Sequence, residues 1–249
     1  MRSLFILAFS LLSLNTFAAG SKIDIPKYDW SWKGFFGTYD RASAQRGLKV
    51  YREVCAGCHS MDLIAYRNLA DLGFSEAHIK AIAAEYLIPD GPNDEGEMFE
   101  REAIPSDRFA NPYPNVQAAR AANNGAYPPD LSLIVKARPK GADYLKALLL
   151  GYVEAPADKE VPEGQYYNKY MDGNLIAMPS PLSEGIVDYD DGTEATMDQM
   201  ATDVSTFLAW AAEPSLEDRK RIGLKVILFL FVLLILAYIS KQQIWRDIK

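Results

Sequence analysis

The sequence predicts a mostly α fold with long irregular loops, followed by one C-terminal transmembrane helix. Three observations carry this reading. Apolar residues recur at helical spacing in segment after segment, whereas the strict alternation of a half-buried strand is scarce. Residues 226–239 hold no charge and no polar group except the Tyr238 hydroxyl. Hydrophobic residues make up 49% of the 249, enough to fill a core.

The N-terminus reads as an export signal over residues 1–18. Arg2 supplies the positive start, and Leu4 to Leu14 is an apolar run too short to span a bilayer comfortably. Thr16 and Ala18 place small residues where a peptidase cuts, so cleavage after Ala18 is expected. An uncleaved anchor is the alternative. A mitochondrial transit peptide would be richer in Arg and Ser, so the pattern fits bacterial export.

Helix signals follow in order. Asp40 is placed to cap a helix running to about Cys55, with Ala44, Leu48, Tyr51 and Cys55 on one face. Ser75 is placed to cap the next, with Ile79, Ile82, Ala83 and Tyr86 inward. A short helix after Asn115 stops at Asn124-Gly125. Leucines repeat at helical spacing from Asp143 to Tyr152. Thr196 and Gln199 form a capping box ahead of Met200, Val204, Phe207, Leu208 and Ala211, and Pro214 interrupts. Pro89 to Tyr113 and Ala155 to Asp191 read as long irregular stretches, which in a compact domain are usually functional. No internal repeat or domain boundary is visible, so residues 19–218 read as one domain.

From Ile222 to Ser240 the apolar run offers 19 positions, against roughly 20 for a membrane span. Leu, Ile, Val and Phe cover every face, which disfavours a helix buried in a soluble core. Lys225 can snorkel, and Tyr238 and Trp245 suit an interfacial belt. Bases flank the run on both sides, so charge does not orient it. The export signal does: an anchor over residues 219–240 would leave residues 241–249 as a cytoplasmic tail.

The net charge is −7, from 33 acids and 26 bases. This acidic balance argues against nucleic-acid binding, which needs a basic surface. Seven bases and one acid lie from Arg219 onward, and Arg2 is the only charge in residues 1–18. The exported domain therefore carries −14. That suits a basic partner, or simply a solvated acidic surface.

Only two cysteines and two histidines are present, and three of the four fall together in Cys55-Ala56-Gly57-Cys58-His59. C-x-x-C-H is the attachment signature of c-type haem. Two thiols three positions apart can add to the two vinyl groups of one porphyrin, and the next residue offers an imidazole to the iron. A thioredoxin-like site would need a βαβ setting. A zinc site would need a fourth ligand beyond these three, and His78 falls in a helical pattern as an ordinary surface residue. A short-loop disulfide would leave His59 unexplained.

A second axial ligand is sought among seven methionines. Met1 lies in the signal, Met61 is too close to His59 to reach the opposite face, and Met98 lies in an acidic loop. Met197 and Met200 fit a helix core, and Met171 and Met178 lie in the second long loop. Met178 precedes Pro179-Ser180-Pro181, which favours a stiff, extended presentation of one sulfur. Methionine as core filler is the alternative.

These motifs together resemble the cytochrome c1 family, haem subunits of the ubiquinol–cytochrome c reductase (cytochrome bc1) complex, in bacterial form. The resemblance covers nearly the whole mature chain. It includes Val54 to Met61, Asp90-Gly91-Pro92-Asn93, Asn111 to Asn115, Ala118 to Ala126, Pro128-Pro129-Asp130-Leu131-Ser132 with Ala137-Arg138, Ile176 to Pro179 and Asp190 to Thr193. It implies a cytochrome c-like haem domain with one covalent haem c. Cys55 and Cys58 would hold that haem, with His59 and Met178 axial to the iron. Arg138 would pair with a propionate, and Tyr144 and Asn123 are hydrogen-bonding candidates beside it. Paired cysteines that some relatives carry elsewhere are absent, so a long loop must be braced otherwise.

The resemblance further implies a one-electron relay on the bacterial inner membrane, with the haem domain in the periplasm. The Rieske iron–sulfur protein would donate, a cytochrome c would accept, and the anchor would pack on cytochrome b in a dimeric complex. Asp90, Asp94, Glu95, Glu97, Glu100 and Glu102, with Glu184, Asp188, Asp190 and Asp191, are candidates for a docking face. A haem enzyme or gas sensor with an open distal site is a rival reading. So is an anchored cytochrome serving another chain.

Overall fold

Helix α1 (Arg41–Val50) starts where the sequence places a cap: the Asp40 side chain accepts from the Ser43 N–H at 3.1 Å. The structure, a computed structural model, describes residues 23–246. The expected signal at 1–18 lies outside them, and the expected tail is described only as far as Arg246. α1 runs straight into a π-helical turn at Tyr51–Cys55, closed by the Ala56 N–H donating to Tyr51 O at 2.7 Å. The helical stretch thus ends at Cys55 as expected, but its last turn is widened. Such turns recur at functional sites.

A 3₁₀ helix at Tyr66–Leu72 ends on Gly73, whose φ of +92° needs glycine. Helix α2 (Glu76–Ala84), capped by Ser75, buries Ile79, Ile82 and Ala83. Tyr86, expected on that face, lies past the helix end, where its half-buried ring sits 5.8 Å from that of Tyr66.

The first stretch read as irregular contains an antiparallel ribbon. Strand β1 (Leu87–Asp90) pairs with β2 (Phe99–Glu102) from Leu87 opposite Glu102 to Asp90 opposite Phe99. Neither strand buries a face and Pro89 interrupts the first, so no alternation was written into the sequence. Arg101 braces the region, pairing with Asp90 and reaching Asp107 at 2.7 Å.

Helix α3 (Val116–Ala122) is capped by Asn115 and stops at Asn124 and Gly125, both at positive φ. Helices α4 (Ile134–Ala137) and α5 (Ala142–Leu150) follow. The second long stretch holds another small ribbon, β3 (Tyr166–Tyr167) with β4 (Leu175–Ile176). Helix α6 (Met197–Ala212) is capped by Thr196, which accepts from the Gln199 N–H at 3.1 Å. Gln199 does not return the bond as a capping box would. Its amide donates to Asp203 at 3.0 Å, because a buried carboxylate needs donors. Met200 is fully buried, but Met197, expected in the core, is 37% exposed at the first helical position.

The core forms where α1 crosses α6. A Cβ on Gly47 would lie 2.0 Å from the Asp203 carbonyl oxygen and 2.7 Å from Phe207 Cβ, so only glycine permits this approach. Asp203, fully buried beside the crossing, accepts from Ser43 Oγ at 2.7 Å and from Arg46 at 2.9 and 3.1 Å. Tyr51 packs between Phe109 and Phe207, and Met61 is fully buried with them.

After Glu213-Pro214-Ser215 the chain enters helix α7 (Leu216–Trp245). It is long and apolar enough to cross a membrane, and its apolar window packs on nothing in the domain. The expected anchor, residues 219–240, lies wholly within it. Its first turns are fixed to the domain. Glu217 accepts from Arg41 at 2.8 and 2.9 Å and from the Tyr39 N–H at 2.8 Å. Lys220 Nζ donates to Trp32 O at 2.7 Å and Gly37 O at 2.8 Å.

Gly47→Ala tests the crossing. Overpacking costs about 1–3 kcal/mol, and each kcal/mol moves Tm by about 2–4 °C at this size. A drop of about 2–12 °C is expected in a thermal melt of the detergent-solubilised chain, and an unchanged Tm would show that the helices separate freely.

Candidate functional site

The π-helical turn delivers the chain directly into C-x-x-C-H. The Cys58 and His59 N–H groups both fold back to Cys55 O, at 3.1 and 2.9 Å. The widened turn and this closure place both thiols and the imidazole within one tight segment at the end of α1. Neither cysteine is in a disulfide; Cys55 is half-buried and Cys58 exposed. Burial pushes the Cys55 thiol up to about 12.

The His59 ring is fixed by a bond across 70 residues: Nδ1 lies 2.8 Å from Pro129 O. A carbonyl only accepts, so Nδ1 carries the proton and Nε2 keeps its lone pair. Burial lowers the affinity of the imidazole for a second proton, against the opposing pull of the Pro129 carbonyl and the Asp130 charge. The ring is thereby held in its neutral, metal-binding form. The Tyr51 hydroxyl donates to His59 O at 3.2 Å and ties the segment to the core.

Pro129 is held in place by Asp130. The Asp130 carboxylate accepts from Ser60 Oγ at 2.8 Å, the Asp62 N–H at 2.7 Å and the Ser132 N–H at 2.8 Å. The Leu131 N–H donates to Ser60 O at 2.9 Å, and the Leu63 N–H to Ser132 Oγ at 3.0 Å. Burial alone would raise the Asp130 pKa, but these hydrogen bonds outweigh it and hold the carboxyl below its ordinary range. Asp130-Leu131-Ser132 is thus bonded along the segment that follows the histidine.

The remaining candidates fall into three places. Asn123 donates to Ala119 O at 2.7 Å and to the Tyr113 hydroxyl at 3.1 Å, and that hydroxyl lies 3.9 Å from Cys58 Sγ. Asn123 therefore stands behind the second thiol. Arg138 is exposed at the end of α4, donates to Ala137 O, and has no carboxylate partner among the described residues. Burial raises the Tyr144 hydroxyl pKa and the Arg138 charge opposes it, so these two are electrostatic neighbours. The Tyr144 hydroxyl also meets Met171 Sδ at 3.5 Å. Met178 is half-buried, and its carbonyl accepts from the Tyr152 hydroxyl at 3.0 Å.

Sequence reasoning missed the supports. Tyr113, Tyr152 and Asp130 act through bonds to partners distant in sequence. Asn168, fully buried, donates to Leu148 O at 2.7 Å and accepts from the Tyr170 N–H at 3.0 Å, knotting the second long loop. Only Asp130 left a local signal, the Asx turn implied by Asp-x-Ser after two prolines.

The donor set fits a haem: two unlinked thiols, and beside them an imidazole already oriented by its other nitrogen. Among the described residues no group of three or more His, Cys, Asp or Glu is placed to hold a bare metal ion. On a helical domain with a candidate membrane helix, this defines a membrane-anchored haem protein of the cytochrome class.

The model of the Cytochrome C1 family matches residues 30–248, and the chain belongs to that family. The chain is 49% identical over 243 residues to cytochrome c1 of Rhodospirillum rubrum, covering 91% of this chain and 89% of the relative. It is 49% identical over 243 residues to a mitochondrial cytochrome c1 of Solanum tuberosum, covering 96% and 94%. It is 50% identical over 244 residues to the cytochrome b/c1 of Bradyrhizobium diazoefficiens; the match covers 89% of this chain and 36% of that longer relative. Family membership implies a haem cofactor.

Asp130→Ala should leave Ser60 Oγ and two N–H groups without their acceptor. Each hydrogen bond to a charged group is worth about 1.5–3 kcal/mol. A loss of about 2–4 kcal/mol by chemical denaturation is expected, with Asp130→Asn milder. Equal, negligible losses in both would show that the carboxylate does not hold the loop.

Proposed function

We propose that this chain is the electron-transfer subunit of a ubiquinol–cytochrome c reductase, relaying one electron at a time through a covalently bound haem c. The observation that carries the reading is the imidazole of C-x-x-C-H, fixed by its Nδ1 bond to Pro129 O. Family membership supports it, and a relative from Candida albicans, 51% identical over 233 residues, is named for the cytochrome b-c1 complex.

When bound, the haem supplies a one-electron couple at its iron. Cys55 and Cys58 would hold it through their sulfurs, and His59 Nε2 would ligate its iron. Met178 would be the second ligand, and a methionine sulfur there would raise the potential. Arg138 and Tyr144 would supply charge and a donor to a propionate, since a carboxylate leaving water needs both, and Asn123, whose two amide hydrogens are given to Ala119 O and the Tyr113 hydroxyl, would support the haem from behind Cys58. No proton transfer or nucleophile is asked of this chain.

The Rieske iron–sulfur protein is the donor, a cytochrome c the acceptor, and cytochrome b the neighbour of α7 in a dimeric complex. The domain over residues 19–218 lies in the periplasm of a bacterium, held to the inner membrane by residues 219–240, with residues 241–249 in the cytoplasm and residues 1–18 removed as a signal. The acids on and around the first ribbon support a docking face. Asp94, Glu95, Glu97, Glu100 and Glu102 are exposed, without a salt bridge among the described residues. Asp90, Asp190 and Asp191 are spent on Arg101, Lys49 and Arg46, and Glu184 accepts from the Met197 N–H.

The deciding experiment is a redox-difference spectrum of wild type and Met178→Leu in membranes, with and without carbon monoxide. Wild type should show a c-type band inert to carbon monoxide. The variant should bind carbon monoxide and lose on the order of 0.2 V of potential, within the roughly 0.8 V that axial ligands span. A wild-type haem that binds carbon monoxide would instead mean an open site and an enzyme or sensor.

Docking has its own test. Reduction of a basic cytochrome c should slow at least about tenfold as the Debye length shrinks from about 30 Å at 0.01 M salt to about 8 Å at 0.15 M. A flat salt dependence would remove the acidic face from the account.

A further inference from the structure

The loop from Trp32 to Gly37 presents two adjacent aromatic rings to solvent. Phe35 is 52% exposed and Phe36 81%, with ring centroids 5.1 Å apart at a near-perpendicular angle. The loop doubles back tightly. A Cβ on Gly37 would lie 2.1 Å from Lys33 O, and Gly34 adopts a φ of +78°. Trp32, at the start of the loop, turns the other way and packs on the domain. The Trp32 ring lies 4.8 Å from Trp30 and 5.4 Å from Tyr39, whose hydroxyl donates to Ala209 O. Such geometry pushes the two phenylalanines outward as a tip, on backbone that the domain holds firmly.

What the tip faces follows from its tether. Lys220 Nζ bonds both ends of the loop, at Trp32 O and Gly37 O. Lys220 stands two residues before Ile222, where the exposed apolar stretch of α7 begins. The domain covers only the start of α7: Leu216 is buried and Lys220 half-buried, whereas a Cβ on Gly223 would meet open space. The cover therefore ends within about one turn, roughly 5 Å, of the tether. The loop that carries the aromatic pair is thus tethered two residues before the exposed apolar stretch begins, and aromatic rings are favoured where a helix enters a bilayer.

We propose that Phe35 and Phe36 form a wedge that enters the lipid interface beside α7, giving the domain a second, non-helical contact with the membrane surface. The occupant is lipid rather than protein. Continuity with the apolar surface of α7 argues for it, as does the outward, paired exposure of the rings. Burying two exposed phenylalanine rings removes apolar surface from water, which favours the interface. The domain is then pinned at two points, α7 and the loop, which fixes its tilt as one flexible stalk would not. The inference rests on α7 being a membrane span.

The test places a photoreactive benzophenone amino acid at position 36 in the full-length chain, in native membranes, and identifies adducts by mass spectrometry. The same probe at Leu230, inside the expected span, is the control for α7 itself. The same probe at Asp94 is the control for water exposure. Adducts to lipid at 36 and 230 but not at 94 are expected. Lys220→Met, which cuts the tether, should lose most of the lipid adduct at 36 while leaving it at 230, with an unchanged haem spectrum reporting an intact domain. Lipid adducts at 230 with only protein adducts, or none, at 36 would overturn the wedge and assign the tip to a partner or to water. No adduct at 230 to lipid or to an integral membrane protein would overturn the membrane reading of α7, and the wedge with it.

Discussion

The rest of the structure depends on the crossing of α1 and α6 at Gly47. A missing Cβ lets the two helices meet backbone to backbone, and the Asp203 carbonyl occupies the space another residue would need. Beside it a fully buried carboxylate is satisfied by Ser43, Arg46 and Gln199. Such a pair contributes little net stability, because desolvation consumes most of the Coulomb gain, but breaking it leaves a buried charge. Its effect is on register: Arg46 and Ser43 meet Asp203 only when α1 and α6 sit at one relative height. That height sets where α1 ends, and the end of α1 is where C-x-x-C-H begins.

From that point the site is assembled by contacts between distant segments. The imidazole comes from the end of α1, and the carbonyl that orients it from 70 residues further on. A ligand whose other nitrogen is already bonded loses less freedom when it binds metal, and its tautomer is set beforehand. Asp130 enforces this by gathering three donors from the segment after the histidine and from its own turn. The orientation of one ring therefore depends on a carboxylate that touches neither the ring nor the thiols.

How much of this was legible in the sequence divides along physical lines. Caps and periodic faces are local, so Asp40, Ser75, Asn115 and Thr196 marked their helices to within a residue. The C-x-x-C-H motif is local too, and its thiols are unlinked, with the imidazole beside them oriented through Nδ1. The two ribbons were not legible, because strands of two to four residues with no buried face leave no alternation to read. Asn168 and Tyr152 were invisible for another reason: their roles exist only once Leu148 and Met178 come within reach. The acids misled in a third way. Composition counts charges but not their partners, and Asp190, Asp191 and Asp90 are committed within the fold.

The join between domain and anchor extends the same logic to the proposed relay. Pro214 breaks the helix between α6 and α7, which by itself would make a hinge. The structure closes that hinge. Glu213 takes Arg219 at 2.6 Å and Lys136 at 3.4 Å, Glu217 takes Arg41, and Lys220 takes two carbonyls of the N-terminal loop. Exposed ion pairs are individually weak, at roughly 0–1 kcal/mol, but these draw on α1, α4 and the N-terminal loop at once. To swing about Pro214 the domain would have to break them together. A relay that must meet a donor and an acceptor in turn gains from such a base, because the orientation of its haem edge is then fixed before either partner arrives.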